Sequence, residues 1–124
     1  GRPMREVLIA DDDASLRMSL KLVLETAGYA VRLAANGKEA LRLQNESPSD
    51  LLITDIFMRE ADGFEAIDAF RTAFPGTRII VMSGGAKRSK YEYLSTAALL
   101  GADATLSKPF GMDALLRTLR GLER

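Results

Sequence analysis

Two rhythms of apolar and polar residues take turns along this 124-residue chain. Short apolar runs that read as strands occupy Glu6 to Ala10, Ala30 to Ala34, Leu51 to Thr54, Arg78 to Met82 and Ala102 to Leu106. The first, third and fourth hold the unbroken stretches VLIA, LLIT and IIVM, the pattern of central parallel strands covered on both faces. The second and fifth are more broken, as the edges of a sheet are. Between the strands lie stripes with helical spacing. The first is Leu16, Leu20, Val23, Leu24 and Ala27, stopped by Gly28, and a short second one runs from about Lys38 to Gln44. The third carries Phe64, Ile67, Phe70 and Phe74 before Pro75-Gly76 ends it, and the fifth carries Met112, Leu115, Leu116 and Leu119. The fourth opens on the basic run Lys87, Arg88, Ser89, Lys90 with a ragged apolar stripe, and is expected to be the least firmly anchored.

Strict alternation of five strands and five helices predicts an α/β fold built from βα units around a parallel sheet. Right-handed crossovers leave few topologies, of which the flavodoxin-like (βα)5 doubly wound sheet, strand order 2-1-3-4-5, is the expectation. The length suffices for one core and hence a single domain. Gly1, Arg2 and Pro3 precede Met4 and read as a cloning scar, so the domain is expected to span 4–124.

The polar residues that close the predicted strands carry the candidate chemistry. Asp11, Asp12 and Asp13 follow the first, Asp55 ends the third, Ser83 follows the fourth and Lys108 follows the fifth. In an open parallel sheet all these ends point the same way, so the residues converge on one crevice. Several carboxylates, one hydroxyl and one ammonium suit a divalent cation and a phosphoryl group. Three carboxylates about 4 to 5 Å apart repel by roughly 4 kcal/mol per pair at an effective dielectric near 20, and a hard divalent ion relieves that. Magnesium takes oxygen ligands and uses one or two carboxylates, a role that Asp12 and Asp55 fit.

Composition narrows the alternatives. Lys plus Arg and Asp plus Glu are both 17, so no basic field draws the chain to nucleic acid or to an anionic membrane. The chain has neither cysteine nor histidine, which excludes disulfides, thiolate and imidazole metal ligands, and serine-histidine triads. Any metal must sit on oxygens. No apolar run approaches the length of a membrane span, and cytoplasmic localisation is the expectation.

The segments IADDDASLR, ITDIFMREADG, VMSGG and LGADATLSKPF together resemble the receiver domain of bacterial two-component response regulators, the CheY-like family. Each motif alone is weak, but four in order, each closing a predicted strand, are specific. The resemblance implies a phosphorylation-activated switch in which Asp55 accepts a phosphoryl group from a sensor histidine kinase or a phosphotransfer protein, in a reaction dependent on Mg2+ or Mn2+. It further implies Asp11, Asp12, Asp55 and the backbone carbonyl of Phe57 around the metal, with Asp11 mostly behind a water. Ser83 and Lys108 would meet phosphoryl oxygens, Gly84 would offer an amide, and the Lys108-Pro109 peptide would be cis. Asp13 lies outside the family's acidic pair and is expected to begin the first helix.

By the same resemblance the signal passes to a downstream protein or output domain through the face of the fourth helix, fifth strand and fifth helix. Lys90, Tyr91, Tyr93, Arg117 and Arg120 lie near that face, which is also the candidate homodimer surface. The chain reads either as a single-domain regulator or as a receiver cut from a longer regulator or hybrid kinase. Four positions depart from the family pattern. Thr105 stands where many receivers carry a tyrosine or phenylalanine, and Arg59 where proline is usual. Phe57 and Gly85, at positions that tune dephosphorylation in the family, offer no side-chain acid or amide. The chain is thus expected to assist its own phosphotransfer and slow dephosphorylation without being a turnover enzyme. A haloacid-dehalogenase-like phosphatase would need a second acid two residues after Asp55, where Phe57 stands. A degenerate receiver would not retain every charged site residue.

Overall fold

The computed structural model describes residues 4–56, 58, 63–83 and 101–123. Five parallel strands form one sheet: β1 (Glu6–Ala10), β2 (Ala30–Ala34), β3 (Leu51–Asp55), β4 (Arg78–Ser83) and β5 (Ala104–Ser107). Their spatial order is β2-β1-β3-β4-β5, the predicted doubly wound, flavodoxin-like arrangement. The described helices are α1 (Ala14–Thr26), α2 (Gly37–Glu46), α3 (Gly63–Ala73) and the C-terminal α4 (Met112–Leu122), which is the fifth helix of the sequence pattern. The helix expected after Ser83, with Lys87, Arg88, Ser89, Lys90, Tyr91 and Tyr93, lies outside the described residues, as do Phe57, Arg59, Gly84 and Gly85.

Side chains on a strand alternate between faces, and the core divides accordingly. Leu8, Ala10, Leu52, Ile79 and Val81 meet Ala40 of α2 and Ile67 and Phe70 of α3 on one face. Val7, Ile9, Leu51, Ile53, Ile80 and Met82 meet Leu20 and Leu24 of α1 and Leu115 and Leu119 of α4 on the other. The central strands are buried apart from Glu6 and Arg78, which open β1 and β4, whereas β2 and β5 are largely half-buried. This is the physical origin of the contrast between unbroken and broken apolar runs. Among the described residues no helix is long and apolar enough to cross a membrane.

The helix ends follow from local chemistry. Asn36 caps α2 by accepting from Glu39 N–H at 2.9 Å, while Glu39 Oε1 accepts from Ala35 N–H at 2.9 Å. Gly28, at φ 104°, turns the chain out of α1 in a conformation other residues resist. The register of the sheet then sets the site. Ala10 pairs with Thr54, so Asp11 stands level with Asp55; Asp55 pairs with Met82 and Ser83 with Ser107. Residues 97 positions apart in sequence thereby meet at one edge, the Lys108 to Asp11 contact being the example.

Candidate metal and phosphoryl site

Asp11, Asp12 and Asp55 each bring a carboxylate oxygen within 4.8 Å of the others. Three consecutive aspartates receive three different environments. Asp11 is completely buried, Asp12 is exposed, and Asp13 is the cap of α1, accepting from Leu16 N–H at 3.2 Å. The expectation that Asp13 starts the helix therefore holds. Asp55, 8% exposed, sits at the last position of β3, beside Ile56, whose N–H bonds the Met82 carbonyl at 3.3 Å.

Lys108 supplies the positive charge. Its backbone N–H is tied to the Ser83 carbonyl at 2.6 Å, and its peptide bond to Pro109 is cis. Its ammonium is 2.8 Å from Asp11 Oδ2 and 3.5 Å from Asp55 Oδ2. Sequence reasoning brought this lysine to the site but did not choose between the two carboxylates. A further cation escaped it altogether: Arg17, on the first turns of α1, donates to the Asp11 carbonyl at 2.6 Å.

The electrostatics of the cluster follow from these distances. Burial, with Asp11 adding to it, pushes Asp55 from 3.8 up to about 6, against the pull of Lys108 and the Ile56 N–H. Burial alone would pull Lys108 down. Its hydrogen bond to Asp11 and the charges of Asp55 and Asp11 outweigh that and hold it above 10.5. Ser83 is 1% exposed, and its Oγ, buried at the same sheet edge, has no hydrogen-bond partner among the described residues. A buried hydroxyl left without a partner costs about 1–3 kcal/mol, which an added acceptor would recover.

The donor set fits a hard divalent cation. It is made of oxygens alone, it is anionic beyond what Lys108 neutralises, and the unpartnered Ser83 hydroxyl offers a donor for an anion beside it. The Phe57 carbonyl expected to join the set lies outside the described residues. Thr105, at the position usually aromatic, is an exposed residue of the edge strand β5.

Known proteins resemble the chain throughout its length. The family model for the response regulator receiver domain matches residues 7–120. Response regulator MprA of Mycolicibacterium vanbaalenii is 36% identical over 122 residues, covering 98% of this chain and 51% of the relative. The chain thus spans about half the length of the curated relatives it matches. Among solved structures, Vibrio cholerae chemotaxis protein CheY4 is similar with a TM-score of 0.85 and 33% identity, covering 95% of this chain and 98% of that one. A CheY-like receiver domain protein from Methanospirillum hungatei gives a TM-score of 0.88 and 30% identity, covering 97% and 94%. With sheet order, acidic cluster and family match in agreement, the chain belongs to the receiver domain family of two-component response regulators.

Proposed function

We propose that residues 4–124 form a cytoplasmic phosphorylation switch in which Asp55 accepts a phosphoryl group from a sensor histidine kinase or phosphotransfer protein. The observation that carries this reading is the convergence of Asp11, Asp12 and Asp55 within 4.8 Å at the end of the sheet where Lys108 and the unpartnered Ser83 hydroxyl also lie. One Asp55 oxygen attacks phosphorus in line, the P–N bond of the donor phosphohistidine breaks, and its electron pair leaves with the imidazole. Asp11, Asp12, Asp55 and the Phe57 carbonyl would hold Mg2+ or Mn2+, which supplies charge neutralisation at the phosphoryl oxygens. Lys108 and Ser83 are positioned to bind two of those oxygens, the lysine as a charge and the serine as a donor. Without an ion, burial holds Asp55 up to about 6, so it loses its charge in mild acid, and a bound divalent cation would favour the ionised, nucleophilic form.

The signal would leave through the face of β5, α4 and the segment after Ser83, toward a downstream protein or output domain, or through a homodimer on that face. Arg117 and Arg120 on α4 are exposed. Membership of the receiver family supports a switch over a turnover phosphatase, and the intact charged cluster supports a phosphorylated receiver over a degenerate one.

Acetyl phosphate with Mg2+, followed by intact-mass measurement, tests the reading. Wild type is expected to gain one phosphoryl group, and Asp55→Asn none. Undiminished labelling of Asp55→Asn would move the acceptor elsewhere.

A further inference from the structure

Met18 and Leu22 are the two large apolar side chains exposed among the described residues, at 57% and 68%. They stand one turn apart on α1, whose opposite stripe, Leu20 and Leu24, is buried against the sheet. Residues four apart form a ridge along a helix, and here the ridge is Ala14, Met18, Leu22 and Thr26, exposed at every position. It carries no charge, and the Thr26 hydroxyl is turned back onto the Leu22 carbonyl at 2.8 Å. Beside it Ser15 and Ser19, also exposed, make a shallow track of small side chains into which an apolar ridge fits. On its other side run Arg17, Lys21 and Glu25, two positive charges followed by a negative one. Among the described residues neither Lys21 nor Glu25 makes an ion pair.

We propose that the exposed face of α1 is a contact between two copies of this chain, packed antiparallel about a two-fold axis, with the Met18 and Leu22 ridge of each copy lying in the Ser15 and Ser19 track of the other. Three features select a second copy. A ridge beside a track is self-complementary, as a two-fold contact requires. Reversing one helix sets like flank against like flank, so Glu25 of each copy comes beside the Arg17 and Lys21 end of the other. Acidic and basic residues number 17 each, so no net charge holds two copies apart. The surface is separate from the face of β5 and α4 considered for output, and it does not depend on the phosphoryl site. Its size sets the strength. The 13 residues of α1 extend roughly 20 Å, and one such helix pair stays below the roughly 1,000 Å² of a stable interface, so the dimer is weak and forms only in concentrated protein.

Sedimentation equilibrium of the whole chain in EDTA, from about 0.02 to about 1 mM, reads the association. Wild type is expected to rise from the mass of one chain toward that of two. Leu22→Asp is expected to stay monomeric with an unchanged thermal unfolding curve, because the side chain it replaces is exposed. Glu25→Lys makes its flank wholly basic and is expected to weaken association at least about tenfold. The chain has no cysteine, so Ser19→Cys gives an independent reading: with copper phenanthroline as oxidant it is expected to form a disulfide-linked dimer, whereas Asn45→Cys, exposed on α2, stays monomeric. A wild type that remains monomeric throughout leaves the face to a different protein and overturns the proposal. Association that survives Leu22→Asp lies on another surface and overturns it equally, as do an unaffected Glu25→Lys and equal cross-linking of the two cysteine variants.

Discussion

Removing the negative charge of Asp55 is expected to stabilise the metal-free fold. Asp55 titrates at about 6 in the folded protein against 3.8 ordinarily, so its charged form is disfavoured by folding. The sign follows directly: stability is lost as pH rises from the unfolded to the folded value, and the loss is complete above it. A difference of about two pH units corresponds to roughly 3 kcal/mol above about pH 7, and linkage leaves only about 1 kcal/mol of it at about pH 4.5. Asp55→Asn keeps the shape and removes the charge, so urea denaturation with EDTA at about pH 8 is expected to show it more stable than wild type by up to roughly 3 kcal/mol. In thermal unfolding this amounts to an upward shift of roughly 10 °C for a chain of this size. Mg2+ should erase much of the gap by stabilising wild type more than the variant. A variant no more stable than wild type in EDTA at about pH 8, or an advantage that does not shrink toward acid, would refute the claim that burial raises Asp55.

Two other expectations concern the far end of the sheet and the lifetime of the modified state. Tyr29 donates to Glu123 Oε1 at 2.9 Å, and burial followed by that bond pushes its phenol up to about 12. Stability from this group is therefore present below 10 and lost as pH climbs from 10 toward 12, and absorbance titration of Tyr29→Phe should lack the component near 12. Phe57 and Gly85 carry no acid or amide to position an attacking water, so the phosphoaspartate is expected to persist for minutes or longer. Loss within seconds in a phosphate-release assay would contradict that.

Much of the fold was legible because the central strands are buried on both faces and announce themselves as unbroken apolar runs. The start of β5 was not. Ala102 and Asp103 were expected in the strand, but it begins at Ala104, because Asp103 Oδ2 takes the Ile79 N–H at 2.7 Å that a strand carbonyl would otherwise accept. Arg71 of α3 holds the same carboxylate at 2.8 Å. A polar core was equally hidden: Gln44, fully buried, donates to Thr77 Oγ1 at 3.0 Å and accepts from Ser49 N–H at 2.9 Å. Nothing in a local window distinguishes a glutamine satisfied by partners 5 and 33 residues away from one facing water.

The acidic triplet shows where residue type ends and geometry begins. Asp11, Asp12 and Asp13 are chemically identical, yet the change from extended strand to helix start within those positions turns one side chain into the core, one to the surface and one onto the α1 backbone. Spacing alone predicts that at least two of them reach Asp55. It does not predict that the wholly buried one is the partner of Lys108, because that depends on β4 and β5 being in a register that sets Lys108 against the Ser83 carbonyl. The pairing matters energetically, since a buried carboxylate without a cation is far costlier than an exposed one. A chain with the same motifs but the lysine one residue out of register would retain every recognisable signature and leave Asp11 uncompensated. The order of motifs identifies the family, and the sheet register determines how the charges are shared.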